Sequence, residues 1–469
     1  MRSLVWFRGQ DMRVRDHEPL RAAVQAGELL CVYVLEDHFL AEGRAKQSAH
    51  AVQYLLESLT SLRRNIEALG GKLVVLRGDS AALIPTYARA WKVDQVLAYR
   101  AAEPRGIGRD QAVQLALDVP LVQFDGRSLV PHDQIKTGSG GIFAVFTPYS
   151  RAHGLKFDAR IPLPAPKALP APPAELKIEE GTIPTLDDYG IKHNALLMPG
   201  GERAAQQRLA DIAARVAPDY ADTRNAMGVD GTSRLSAPLR FGVLSPRQVW
   251  HAVESAPLRR QLVWRDFAYY TMFHRPDVLS MPFRADFWGF PYEEDDRRWT
   301  AWAQGQTGYP LIDAAARELL ATGFVHNRAR MNSASFLTKH LLISYKRGEQ
   351  HYLHHLTDGD FALNNMGWQW SAGSGCDAQP YFRVFNPMTQ GADFDPAGDY
   401  VRRWIPELSQ LHAKYIYAPW TAPPAELQRA GVKLGSNYPN PIVEHKAARE
   451  RFLAVAKAHL TSTPAQQEK

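Results

Sequence analysis

Within the first 130 residues, five short apolar runs recur at residues 4–7, 29–35, 73–76, 95–99 and 121–124. None alternates apolar with polar, so each reads as a strand buried on both faces, as in a parallel sheet. Helical patterns separate them. The clearest covers residues 48–69, with Leu55, Leu59, Leu62, Ile66 and Leu69 on one face and Arg63 and Arg64 off it. Strands alternating with helices predict a Rossmann-like parallel α/β domain over residues 1–130. No GxGxxG follows the first run, which disfavours a standard dinucleotide site there.

Residues 131–200 form the next segment. The stretch IPLPAPKALPAPPAELK at 161–177 reads as an extended, semi-rigid connector between domains. From 201 to 469 the pattern is helical, with helices expected over 203–216, 246–253, 311–321 and 331–345. The third places Ile312, Ala315, Ala316, Leu319 and Leu320 on its apolar face, with Asp313 and Arg317 as an i,i+4 pair. The end, TSTPAQQEK, is a polar tail too short for an effector domain.

A chain of 469 residues with 45% hydrophobic content can build two or three cores. Its two cysteines, Cys31 and Cys376, make no disulfide framework, so a reducing compartment, the cytoplasm, is expected. No CxxC or HExxH is present, no signal-peptide core follows the first basic residue, and no apolar run is long enough to span a membrane. A formal charge of +6 is compatible with nucleic acid without being diagnostic.

The chemistry concentrates in residues 358–383, DGDFALNNMGWQWSAGSGCDAQPYFR. Acids at Asp358 and Asp360 flank Gly359. Neutral amides follow at Asn364 and Asn365, then aromatics at Trp368 and Trp370. Such a set can hydrogen-bond the edge of a heteroaromatic ring and stack on a second flat ring. A second candidate is the run GTSRLS at 231–236, whose Thr232, Ser233 and Ser236 hydroxyls beside Arg234 suit a pyrophosphate or, equally, a helix N-cap. The opening Arg8, Asp11, Arg13 and Asp16 admit a surface ion network as well as a family signature.

The spacing D-G-D-x-x-x-N-N-x-G-W-Q-W resembles the photolyase/cryptochrome family, and most closely its class I cyclobutane pyrimidine dimer DNA photolyases. The opening WFRGQDMRVRD, FAVFTPYSR at 143–151, GTSRLS with the following LRFGVLSPR, QLVWRDF and HNRARM carry the same resemblance. It implies an α/β antenna domain followed by a helical FAD-binding domain. It also implies light-driven repair of cyclobutane dimers in damaged DNA by electron transfer from reduced FAD to a flipped-out lesion. By resemblance, FAD is held by Tyr220, Thr232, Ser233, Arg234, Leu235, Ser236, Arg265, Arg330, Asp358, Gly359, Asp360 and Asn364, with Arg330 paired to Asp358. Asn364 falls at the position facing flavin N5, where a neutral amide fits the reduced flavin. The lesion meets Gln261, Trp264, Asn327, Met331 and Trp370, and DNA phosphates meet Arg224, Arg328 and Arg383.

The resemblance has two departures. Gln261 stands where cyclobutane-dimer enzymes have Glu and (6-4) photolyases have Gln, which leaves a (6-4) photolyase, or a cryptochrome-type photoreceptor without repair, as alternatives. The electron-transfer positions read Trp368, Tyr345 and Tyr292 in place of three tryptophans. No proton acceptor is evident for Tyr345, and Trp288, Trp299 and Trp302 lie near in sequence as a detour. An antenna chromophore, deazaflavin or FMN rather than folate, fits AEPRGIGRD at 102–110. A monomer is expected, with no metal and no membrane partner.

Overall fold

A computed structural model describes residues 1–41, 48–158, 160–173, 175, 176 and 178–462. Most of the polar C-terminal tail lies outside the described residues. The chain packs as two compact units. The first comprises Met1–Pro218, Ser233–Pro276 and Thr357–Asp360, and the second Asp219–Thr232, Asp277–Leu356 and Phe361–Lys469.

The first unit is built on the expected sheet. Strands β1 (Arg2–Phe7), β2 (Glu28–Leu35), β3 (Leu73–Arg77), β4 (Gln95–Tyr99) and β5 (Leu121–Phe124) are all parallel, in the order β3-β2-β1-β4-β5. β1 and β2 lie near the centre and are almost wholly buried, which is why their runs lack alternation. Leu4, Trp6, Val32, Val74, Val96 and Ala98 share one core with Ile84 and Ala88 of the helix Ser80–Ala90 and with Trp91, which caps its end. The helix Ala49–Ala68 buries Leu59, Leu62 and Ile66 as its pattern implies.

The opening charged residues are buried rather than a surface network. Arg8 pairs with Asp110 at 2.7 Å and its backbone N–H donates to Asp11, while Arg13 donates to the carbonyls of Asp16 and Gly242. Asp16 accepts from Ser245. Gly242, at φ +62°, has no room for a side chain: a Cβ there would run into the Gln10 carbonyl. The proline-rich stretch is pinned to this unit. The Leu163 N–H donates to Asp16, its carbonyl accepts from the Asp16 N–H, and the Leu169 N–H reaches the Leu69 carbonyl at 2.7 Å. Just before this stretch in the chain, Phe143 and the helix Phe146–Lys156 pack onto the helix Ala256–His274, with His153 at 3.1 Å from Asp266.

The second unit is helical around one large core that includes Trp302, Tyr309, Leu311, Leu319, Phe336, Trp368 and Tyr438. Three expectations change here. The helix over 331–345 is instead a helix Asn327–Ser335, a π-helical turn Phe336–His340 and a separate helix Tyr345–His355. The break falls at Leu342, which holds a left-handed φ of +55° without a glycine to announce it. Asp313 and Arg317 do not pair in the helix Pro310–Thr322. Asp313 is fully buried and accepts from Thr307, Gly308 and Tyr438, and burial raises its carboxyl to about 6. Arg317 reaches Glu407 at 2.9 Å. Leu320 is 38% exposed, off the apolar face it was read onto.

Candidate functional site

In the first unit the segment Thr357–Asp360 brings Asp360 into a cluster of cations. Arg127 donates to Asp360 at 3.1 Å, and the Tyr269 hydroxyl bonds to both. Burial pushes the Asp360 carboxyl up, but the guanidiniums of Arg127, Arg240 and Arg265 outweigh it and hold the group below the usual carboxylate range. Arg265 donates through Nη1 to the Arg127 carbonyl at 2.6 Å and lies 4.7 Å over the Tyr269 ring. Its Nη2 is buried with no hydrogen-bond partner, and burial lowers the pKa of the guanidinium. A buried cationic donor without an acceptor fits an anionic oxygen such as that of a pyrophosphate. Asp358 and Gly359 are half-buried beside it in the chain.

The run at 231–236 crosses between units, with Thr232 in the second and Ser233 to Ser236 in the first. Arg234 holds φ +52°, unusual for a side chain of its size. The Ser233 carbonyl accepts from Arg208. Ser236 opens the short helix Ser236–Arg240, which has no side-chain cap, so the capping reading is not realised.

Trp264 and Gln261 sit on the helix Ala256–His274. Trp264 stacks on Phe146 with centroids 3.7 Å apart and planes 4° from parallel. The FAVFTPYSR passage therefore supplies the ring that fixes Trp264. Gln261 is exposed, with only a 3.5 Å contact from Nε2 to the Pro257 carbonyl.

In the second unit the helix Phe361–Ala372 presents Asn364, Asn365, Trp368 and Gln369 to the interior. Asn364 donates through Nδ2 to the Glu349 carbonyl at 2.8 Å, which fixes the amide and leaves Oδ1 buried with no partner. Asn365 donates to the Glu349 carboxylate and to the Val278 carbonyl, both at 2.9 Å, and accepts from Gln369. Gln369 in turn accepts from the Phe283 N–H and donates to Val278. This ladder orients the helix, and an acceptor at Asn364 Oδ1 is what an N–H on a flavin edge requires. Glu349 was not found from the sequence. Its carboxyl is raised chiefly by burial, and its charge acts on Tyr345 one helical turn earlier. Among the described residues the Tyr345 hydroxyl has no hydrogen-bond partner, so Glu349 acts on it through charge alone.

Trp368 is 2% exposed, and its ring packs where Gly348 leaves no room for a Cβ. It contacts Tyr352 at 5.2 Å and Trp302 at 6.0 Å, and Trp302 contacts Trp299 at 5.2 Å. Trp299 is partly exposed, with the Arg347 guanidinium 4.3 Å over its ring. His351 lies 5.5 Å from both Trp299 and Trp302, and burial lowers its pKa to about 3, so it is neutral. Among the described residues no ring contact joins Tyr345 to Trp368 or to Tyr292. Tyr345 is buried with its hydroxyl unpartnered, and Tyr292 packs on Phe290 at 4.8 Å. The exposed Trp288 bonds to Pro282 and takes no part in the ring series.

Arg328 donates to Asn225 at 3.0 Å, lies 4.2 Å over Phe394 and feels the charge of Arg224, so these two cations share one surface. Asn327 contacts the Met331 sulfur at 3.4 Å on the same helix. Arg383 is exposed, and its carbonyl accepts from Lys339. Trp370 is half-buried, and Tyr220 is buried. Arg330 lies 5.6 Å over Tyr352.

A family profile described as DNA photolyase matches residues 3–171, and one described as the FAD binding domain of DNA photolyase matches residues 258–458. The chain is 38% identical over 97% of both lengths to the deoxyribodipyrimidine photo-lyase of Agrobacterium fabrum, and 39% identical to that of Thermus thermophilus, over 97% of this chain and 98% of the relative. A crystal structure of a bacterial class III photolyase from Agrobacterium tumefaciens superposes with a TM-score of 0.90 at 36% identity, covering 98% of both chains. The chain belongs to the photolyase/cryptochrome family. Within it, the chain is an FAD-dependent photo-lyase. Among the described residues no helix is long and apolar enough to cross a membrane.

Proposed function

We propose that this chain repairs cyclobutane pyrimidine dimers in DNA. The observation that carries the reading is the amide of Asn364, locked by the Glu349 carbonyl with its oxygen buried and unpartnered. By resemblance, an amide at that position belongs to repair enzymes rather than signalling members. Bound, reduced FAD would supply one electron under light, and Arg265, Asp360 and Asn364 would be among the residues that hold it. Trp264, Trp370, Asn327 and Met331 would hold the lesion. The target pyrimidines must leave the duplex stack to meet them, which favours sites where stacking is already weak. Gln261 can hydrogen-bond a pyrimidine edge but cannot supply a charge. Its exposure and single long contact favour a second reading, repair of (6-4) products. We take the chain to act as a monomer in the cytoplasm; an antenna of deazaflavin or FMN type accords with residues 102–110.

The deciding experiment illuminates the reduced protein with oligonucleotides carrying each lesion. Restoration of the cyclobutane dimer is expected, and restoration of the (6-4) product alone overturns the proposal. Arg224, Arg328 and Arg383 should act as phosphate contacts without base readout. Each Ala variant is expected to lower the log–log salt slope of duplex binding by about one unit. Slopes identical to the parent in all three remove these residues from the DNA contact.

A further inference from the structure

Lys339 stands outside every role assigned above. It is 0% exposed within the π-helical turn Phe336–His340, and Nζ donates to the Arg383 carbonyl at 2.8 Å. Its surroundings carry almost no negative charge. The helix His445–Ser462 places the Phe452 ring centroid 5.7 Å from Nζ, and Arg451 of that helix donates to the His340 carbonyl at 2.9 Å. His340 bonds to His445 at 2.8 Å, and burial keeps it neutral, with a pKa near 3. Glu293, the nearby carboxylate, is engaged by Arg451 at 3.1 Å. Among the described residues no acid pairs with Lys339.

We propose that Lys339 is a positioning residue for the Arg383 segment, and that it takes up a proton when DNA phosphate binds at Arg383. The inference rests on the reading of Arg383 as a phosphate contact. A buried ammonium is disfavoured by lost hydration and by the Arg383 guanidinium, which together lower the pKa of Lys339 to about 7. A phosphate at Arg383 offsets that guanidinium and adds negative charge, which favours the ammonium. The protonated amine then makes the stronger, charge-assisted bond to the Arg383 carbonyl. Bound DNA thus raises the pKa of this group, so binding strengthens at lower pH and weakens as pH rises through neutrality.

The test is calorimetric titration with a duplex carrying one cyclobutane thymine dimer, in buffers of different ionisation enthalpy. At pH 7.5 the parent should take up between about a half and one proton, and at pH 5.5 almost none. Lys339→Met and Lys339→Arg should both take up none at pH 7.5, the first lacking the group and the second never losing its proton. Uptake that persists in either variant, or that is absent from the parent at pH 7.5, overturns the proposal. If neither variant folds, the parent profile decides: uptake that grows towards pH 5.5 belongs to a histidine and also overturns it. Arg383→Ala separates the two readings. Unchanged affinity in that variant overturns the phosphate contact itself, whereas weakened binding with no proton uptake in the parent overturns only the role of Lys339.

Discussion

Trp368→Phe should slow light-driven reduction of the bound flavin by about tenfold or more, equivalent to roughly 1.4 kcal/mol on the barrier. Trp368 is the buried origin of a ring series that steps to Trp302 at 6.0 Å and to Trp299 at 5.2 Å, where the chain reaches solvent. Trp302 donates its indole N–H to the Ser333 carbonyl at 3.1 Å, an acceptor that cannot take the proton. An electron hop through it therefore leaves the proton in place. Tyrosine loses its proton on oxidation, and the buried Tyr345 hydroxyl has no hydrogen-bond partner to receive it. Trp302→Phe should accordingly cost more than Tyr345→Phe. Reduction is followed by absorbance under blue light with an external reductant. Equal rates in parent and Trp302→Phe would place the electron entry elsewhere.

The second large effect is on stability. Arg127→Met strips the buried Asp360 carboxylate and the Tyr269 hydroxyl of their shared cation. Removing one partner of a buried pair costs about 3–5 kcal/mol, because the other charge remains desolvated. Acid should change the size of the gap. The Asp360 carboxyl lies below its ordinary range in the folded parent. Its contribution is therefore present above the ordinary carboxylate value and lost as pH falls through the folded value. Urea midpoints of parent and variant should differ most near neutrality and converge below about pH 4. A gap that is constant with pH would mean that the loss is one of packing.

The sheet was legible because buried parallel strands leave unbroken apolar runs, and even the half-exposed β5 kept its length. The helix break at residues 341–344 was not, since neither Gly nor Pro marks it and the π-helical turn has no sequence signature. The pairing of Asp313 with Arg317 failed because Tyr438 and Glu407, far along the chain, satisfy those groups better than each other. The motif residues stand out in the sequence through their spacing. Their supports do not: Arg127 reaches Asp360 across 233 positions, and Glu349 reaches Asn365 from another helix. Trp299 and Trp302 were visible as aromatics, but only ring distances order them into a series.

The stack of Trp264 on Phe146 has a thermodynamic consequence. Parallel rings at 3.7 Å fix both side-chain torsions of Trp264 in the free protein. Ordering a flexible side chain at an interface costs about 0.5–1.5 kcal/mol. For Trp264, which is half-buried, that cost is met when the chain folds, so a planar ligand arriving at its ring encounters a surface whose disorder has already been removed.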